Sequence, residues 1–292
     1  MVSLLAACGG AVGDTGTQPA GSPSVKPTPA LQGILTNAYV SVGPNQRLSF
    51  GVLNRDGLPV PDLGVTVQIF NDPVPKAGFK GLALGPAQVA PYKGTLLQGK
   101  GVYVIHQAFD KAGIYKAEIT ATRGPEVITT EQAFQVLPED PTPAIGTPAP
   151  KVDNPTGDPA TDPTLDTGVP PDAMHYISVA AAIAAHHAVL VYLGSPGFCT
   201  SKTCGPEVDV VKSVQAKYQA RGVDFVHIET YKGGHPDNSD ITKATINPFF
   251  DAWKVPSDPW VFIIDRSGNV SAKFDGMTAP DELAPALDVV SS

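Results

Sequence analysis

Ala188-Val189-Leu190-Val191-Tyr192-Leu193, followed by Phe198-Cys199-Thr200-Ser201-Lys202-Thr203-Cys204-Gly205-Pro206, decides how the second half of the chain folds. The first run is continuously apolar, as a strand covered on both faces must be. Beyond Pro206 the spacing becomes helical to about Arg221, with Val208, Val211, Val214, Gln215 and Tyr218 near the inner face. The two cysteines, the only ones beyond residue 8, therefore sit at a strand-to-helix junction, where a helix dipole favours a thiolate. A dithiol/disulfide centre is the leading expectation. Positions five apart on a regular helix point about 140° away from each other. A disulfide needs Cα atoms about 4.4–6.8 Å apart. One cysteine must then lie in a loop ahead of the helix, and Cys199 is assigned there, with Cys204 near the helix start and Pro206 in its first turn.

Working outward, Tyr176 to Ala185 is helix-like, Val223 to Ile228 a second strand and Asn247 to Val255 a short helix. Trp260 to Asp265 is a third strand, Arg266-Ser267-Gly268-Asn269 a hairpin turn, Val270 to Phe274 a fourth strand and Pro280 to Val290 a closing helix. The order β-α-β-α-β-β-α behind a leading helix resembles the thioredoxin fold. Three features carry the resemblance: the cysteine pair at its turn, Asp258-Pro259-Trp260 opening the third strand, and Ile264-Asp265-Arg266-Ser267-Gly268-Asn269-Val270, which looks like the β-hairpin of membrane-tethered thiol-disulfide oxidoreductases. The resemblance implies that Pro259 stands in the place of the family's cis-proline. It also implies that Cys199 attacks and Cys204 resolves, although the dipole alone favours Cys204. Phe198 stands where the family commonly has tryptophan, and Lys202, Pro206 and Trp260 complete the neighbourhood. Lys202 favours a thiolate while Glu207 opposes it. The family's buried proton-shuttling acid is missing from Val191-Tyr192-Leu193, which puts fast general-base assistance in doubt.

Residues 31–137 follow another rule. Leu48, Phe50 and Val52 alternate with polar or small residues, as do Val65, Val67 and Ile69, and then Tyr115, Ala117, Ile119 and Ala121. Turn signals such as Asn54-Arg55-Asp56-Gly57 and Asp110-Lys111-Ala112-Gly113 separate them, which predicts an all-β sandwich of about seven strands. Asp110, Gly113 and Tyr115 resemble the tyrosine corner of immunoglobulin-like domains, with Ala117 where antibody domains carry a cysteine. His106 reads as structural or exposed, since a lone histidine is no metal site.

Two stretches concentrate much of the chain's 30 prolines and 29 glycines. Residues 1–30 read as a disordered tether and 138–172 as a Pro/Thr/Asp-rich spacer before an α/β domain at 173–292. Within the spacer Asp158, Asp162 and Asp166 recur every fourth residue, but the glycine and glutamate of a calcium loop are missing, so a solvated acidic face is expected. Leu5-Ala6-Ala7-Cys8 resembles a bacterial lipobox, which implies a lipid on Cys8 and folded parts on the extracytoplasmic face of the membrane, where disulfides persist. The apolar stretch ahead of Cys8 is shorter than an export signal needs, which suggests a start codon assigned too late. A net charge of -8 without Lys/Arg runs provides no footprint for nucleic acid. No cofactor or metal is expected, and the partners would be exported proteins bearing thiols or disulfides. Two alternatives stand beside exchange: a structural disulfide in a non-catalytic interaction module, and Cu(I) held by the thiols with His235. Against copper, Asp258 occupies the place where Sco-type proteins on this fold would carry histidine. His186 and His187 read as the end of the preceding helix.

Overall fold

Residues 31–71, 81–94, 101–199, 203–233 and 245–291 are described by the computed structural model. Cys8, Lys202 and His235 lie outside the described residues, and so do the expectations attached to them.

The alternating half forms two facing sheets. One has the order β1 (Leu31–Leu35), β3 (Gly43–Asn54), β8 (Val102–Phe109), β7 (Tyr92–Lys93). The other runs β2 (Val40–Ser41), β10 (Glu126–Leu137), β9 (Gly113–Arg123), β4 (Gly64–Asn71), β5 (Leu82–Ala83), with β6 (Gln88–Val89) also pairing with β4. Leu48, Phe50 and Val52 of β3 pack with Val65, Val67 and Ile69 of β4 and Tyr115, Ala117 and Ile119 of β9 in one core. The period-two pattern thus points inward from both sheets, as a sandwich requires. More than the expected seven strands are present because β2, β5, β6 and β7 are two-residue pairings with no periodicity of their own. The Tyr115 hydroxyl donates to the Lys111 carbonyl at 2.8 Å, closing the corner, and His106 is exposed on β8.

The second half is built on a four-stranded sheet of order β12 (Val223–Ile228), β11 (Ala188–Leu193), β13 (Trp260–Ile264), β14 (Val270–Asp275). β11 runs parallel to β12 and antiparallel to β13, and β13 and β14 form a hairpin. Every residue of β11 is buried because both faces are covered. Val189, Val191 and Leu193 pack with Val179, Ala182 and Trp253 beside α1 (Val179–Ala184) and α3 (Pro248–Asp251). Leu190 and Tyr192 pack with Val208, Val211 and Val214 of α2 (Cys204–Gln219) and Leu283 and Leu287 of α4 (Pro280–Val290). The element order is the one expected. α1 starts later than expected because the Ser178 hydroxyl caps it, accepting from Ala181 N at 3.2 Å. No helix among the described residues is long and apolar enough to cross a membrane.

The expected spacer at 138–172 is corrected: the segment is folded against the second sheet. Ala149 and Val152 enter its core. Gly146 N donates to Val270 O, Val270 N to Thr147 O and Ala149 N to Gly268 O, at 2.8–3.0 Å. Lys273 Nζ donates to Asp140, Thr142 and Pro143 oxygens at 2.7–3.0 Å. Few large apolar residues are needed because the backbone groups find partners on the hairpin, while prolines lower the entropy the unfolded chain loses. Asp158 and Asp162 are exposed and cap local turns through Ala160 N and Thr164 N, but Asp166 is buried, so the solvated-face reading fails at that residue.

The two halves meet directly. Arg47 of β3 reaches Glu282 of α4 through two bonds of 2.8 Å and also donates to the Asp275 and Met277 carbonyls. The Asp275 carboxylate accepts from Ala38 N and Tyr39 N at 2.8 and 3.3 Å. Gly276 has φ 74°, and a Cβ there would collide with the Thr36 carbonyl, so glycine permits this close approach.

Candidate functional site around the cysteine pair

β11 ends at Leu193, and the chain turns away through a buried Gly194 and a Ser195–Phe198 turn closed by Phe198 N donating to Ser195 O at 3.1 Å. Cys199 then lies in the loop and Cys204 is the first residue of α2. The two are joined in a disulfide with Cα atoms 5.9 Å apart. Cys204 is fully buried, whereas Cys199 is half-buried. Cys204 N, one of the helix-start donors without an intrahelical partner, points at Cys199 Sγ at 3.3 Å. The Thr203 side chain makes no capping bond, so that end of the helix remains directed at sulfur. Phe198 is half-buried beside Cys199 in sequence, and Pro206 occupies the first turn of α2.

Across from the pair, Asp258 precedes Pro259 through a cis peptide bond, and Trp260 begins β13 buried. Trp260 stacks on Phe262 at 5.7 Å between ring centres and meets Tyr39 of the sandwich half at 5.9 Å. One carboxylate oxygen of Asp258 and both sulfurs lie within 4.8 Å of one another. A carboxylate absent from β11 is thus present near the sulfurs on the bend that leads into β13. The sequence carries a signal for it, an acidic residue directly before Pro259.

Burial raises the Asp258 carboxyl above its ordinary range, opposed by Thr230 Oγ1, which donates to it at 2.7 Å. An acid held this way can exchange a proton nearer neutrality than a surface aspartate. Burial also raises the Glu207 carboxyl, to about 7, against the lowering effect of Thr278, whose hydroxyl and N–H both donate at 2.6 Å. Tyr192 is buried with its hydroxyl donating to the Cys204 carbonyl at 2.9 Å, and burial holds its phenol well above the usual range.

A second polar group lies behind the loop. The Glu229 carboxylate accepts from Thr167 N and Oγ1 at 2.6 and 2.7 Å, and Thr167 Oγ1 accepts in turn from Gly197 N at 3.0 Å. His227 stands between Asp172, 2.9 Å from Nδ1, and the Gly194 carbonyl, 3.0 Å from Nε2. Burial favours its neutral form, but Asp172, joined by Glu229 and Asp166, outweighs burial and lifts the imidazole to about 10. Nothing in the sequence pattern joins these residues, because they come from the expected spacer, from β12 and the residue just beyond it, and from the loop after β11. His186 and His187 sit just past α1, and His187 Nδ1 pairs with Asp224 at 2.8 Å.

No known family model matches the chain, and no curated protein matches it. Similar solved structures exist. A thiol:disulfide interchange protein of the thioredoxin family from Chlorobium tepidum TLS is 18% identical, covers 53% of this chain and 99% of its own, and has a TM-score of 0.32. The soluble domain of PmoD from Methylocystis sp. ATCC 49242 (Rockwell) is 20% identical over 34% of this chain and 76% of its own, at 0.25. The PKD domain of the human VPS10 domain-containing receptor SorCS2 is 20% identical over 48% of this chain and 98% of its own, at 0.22. With these TM-scores all below 0.5, function is read from the chain's own geometry.

Proposed function

We propose that the chain is a thiol-disulfide exchange protein with a thioredoxin-like second half, held on the extracytoplasmic face of a membrane by a lipid on Cys8 and acting on exported partners. The observation that carries the reading is a half-buried Cys199 sulfur bonded to a fully buried Cys204, at a helix start and beside a buried carboxylate. The membrane part rests on the lipobox-like Leu5-Ala6-Ala7-Cys8 alone.

Exposure supports one assignment of the roles that the sequence leaves open. A partner thiolate attacks Cys199 Sγ, the accessible sulfur, forming a mixed disulfide and expelling the Cys204 thiolate. Asp258, within reach of both sulfurs, protonates that leaving group. The partner's second thiolate then attacks its own sulfur in the mixed disulfide, and Cys199 leaves as a thiolate steadied by the Cys204 N–H. The partner loses two electrons to form its disulfide and the pair Cys199/Cys204 gains them; the partner's thiol protons leave to solvent, Cys204 takes one proton from Asp258, which is reprotonated from solvent, and Cys199 remains a thiolate until it takes up a proton from solvent. The steps reverse when the partner is the more oxidising couple.

A trapping experiment tests the roles. Cys204→Ser protein incubated with oxidised glutathione accumulates a mixed disulfide at Cys199, while Cys199→Ser protein reacts slowly because Cys204 is shielded. Equal reactivity of the two single-thiol variants refutes the assignment.

A further inference from the structure

Asp166, Asp172, His175 and His227 each offer one ligand atom, these atoms all lie within 4.8 Å of one another, and all four residues are buried. We infer that they form a closed site for one divalent first-row transition ion of the zinc class, bound through two imidazole nitrogens and two carboxylate oxygens. The site is separate from the cysteine pair and does not depend on the exchange reading.

His175 supplies the observation that an acidic cluster alone would lack. Its side chain is 1% exposed, and Nε2 faces Asp172 Oδ1 at 3.2 Å and Asp166 Oδ2 at 3.7 Å. Nε2 makes no well-formed hydrogen bond to either carboxylate, although both are close enough to attract a protonated ring and raise the imidazole's affinity for a proton against the effect of burial. A buried nitrogen aimed between two carboxylates in this way needs a cation, a proton or a metal, to offset its burial.

His227 has the orientation a ligand needs. With Nε2 donating to the Gly194 carbonyl at 3.0 Å, a neutral ring presents its lone pair at Nδ1, 2.9 Å from Asp172 Oδ2 and 4.0 Å from Asp166 Oδ1. Two electron-rich atoms facing each other need a cation between them, a proton or a metal. Anchoring the far ring nitrogen to a carbonyl is the usual second support of metal-bound imidazoles. The carboxylates are supported too: Asp166 accepts from Gly168 N and Asp172 N, and Asp172 accepts from Met174 N at 2.8 Å. Glu229 stands 4.0 Å from His227 Nε2 and adds negative charge without joining the set.

The donor chemistry selects the ion. A tetrahedron with bonds of about 2.0 Å places its ligand atoms about 3.3 Å apart. The four donor atoms here, one from each residue, lie within 4.8 Å of one another, so the side chains would close in on the ion as it binds. Calcium needs about 6–8 oxygens, and Cu(I) prefers sulfur. A surface cleft of 330 Å³ lies against two of the four ligands, Asp172 and His175. The ion would tie the segment around Asp166–His175 to β12 and, through His227 and Gly194, to the start of the cysteine loop.

The full chain, disulfide intact, is stripped with a chelator and titrated with zinc at pH 7.5 against a chromophoric competitor. Cobalt is then substituted for absorption spectroscopy. The inference expects one ion per chain bound tighter than about 1 µM, a tetrahedral cobalt spectrum with no thiolate charge-transfer band, and a loss of about 100-fold or more in affinity in His175→Ala and Asp166→Asn. Zinc-edge absorption of the unmutated chain, showing two imidazoles and only N/O ligands, covers the case in which a variant misfolds. It is overturned by binding weaker than about 10 µM, by sulfur ligation, by variants that fold and bind as tightly, or by nitrogen NMR showing both His227 ring nitrogens protonated at saturating zinc.

Discussion

Replacing Glu207 with Gln changes how stability depends on pH, by an amount the structure sets. Glu207 is fully buried, and burial lifts its carboxyl from 4.5 to about 7, with Thr278 and Arg47 pulling it down and Glu282 pushing it up. At about 1.4 kcal/mol per pH unit, the difference corresponds to about 3 kcal/mol. Because the folded value is the higher one, the contribution is complete below pH 4.5 and is lost as pH rises through about 7. Glutamine keeps the contacts, since its carbonyl can accept from Thr278 N and its amide can donate to the rotated hydroxyl. Glu207→Gln should therefore gain about 3 kcal/mol on the unmutated chain between pH 4.5 and 8.5. Asp275, which burial also raises to about 7, is common to both proteins and cancels in the difference. Both tryptophans, Trp253 and Trp260, lie in the second half, so urea unfolding followed by their fluorescence reports the half that contains Glu207. A stability gap of equal size at pH 5 and pH 8.5 refutes the assignment of a buried, neutral-range carboxyl.

Other perturbations follow the same logic. Asp258→Asn should slow exchange with a small disulfide at pH 7 by about 100-fold, as expected for a lost general acid-base, and stopped-flow rates across pH would show an unchanged profile if the carboxylate were a bystander. Arg47→Met strands Glu282 and two carbonyls between the halves, and should cost about 3 kcal/mol or more in chemical denaturation; a change below about 0.5 would mean the contact is idle. Tyr115→Phe removes the corner bond to Lys111 and should lower sandwich stability by about 1 kcal/mol, read as a shifted denaturation midpoint.

The cysteine junction and the second sheet were legible because β11 is covered on both faces, which makes its sequence apolar without interruption, and because five-residue spacing forbids both thiols on one helix. The sandwich was legible through alternation, except for its two-residue strands, which carry too few positions to show a period. The folded 138–172 segment was not, since a proline-rich composition reports low burial capacity and is silent about backbone bonds to a distant hairpin. Asp258 is visible in the sequence, but its residue type alone does not tell a buried acid beside sulfur from a solvated one. Asp166, Asp172, His175 and His227 were out of reach, because only the docking of the stretch from Asp166 to His175 on β12 brings them together.

The most direct measurement is the reduction potential of the Cys199/Cys204 pair, read by trapping free thiols after equilibration in a series of glutathione and dithiothreitol buffers. Reversible exchange predicts a value between about -270 and -120 mV, the span of known exchange proteins. A bond that stays closed below about -300 mV would mark it as a structural staple and contradict the account.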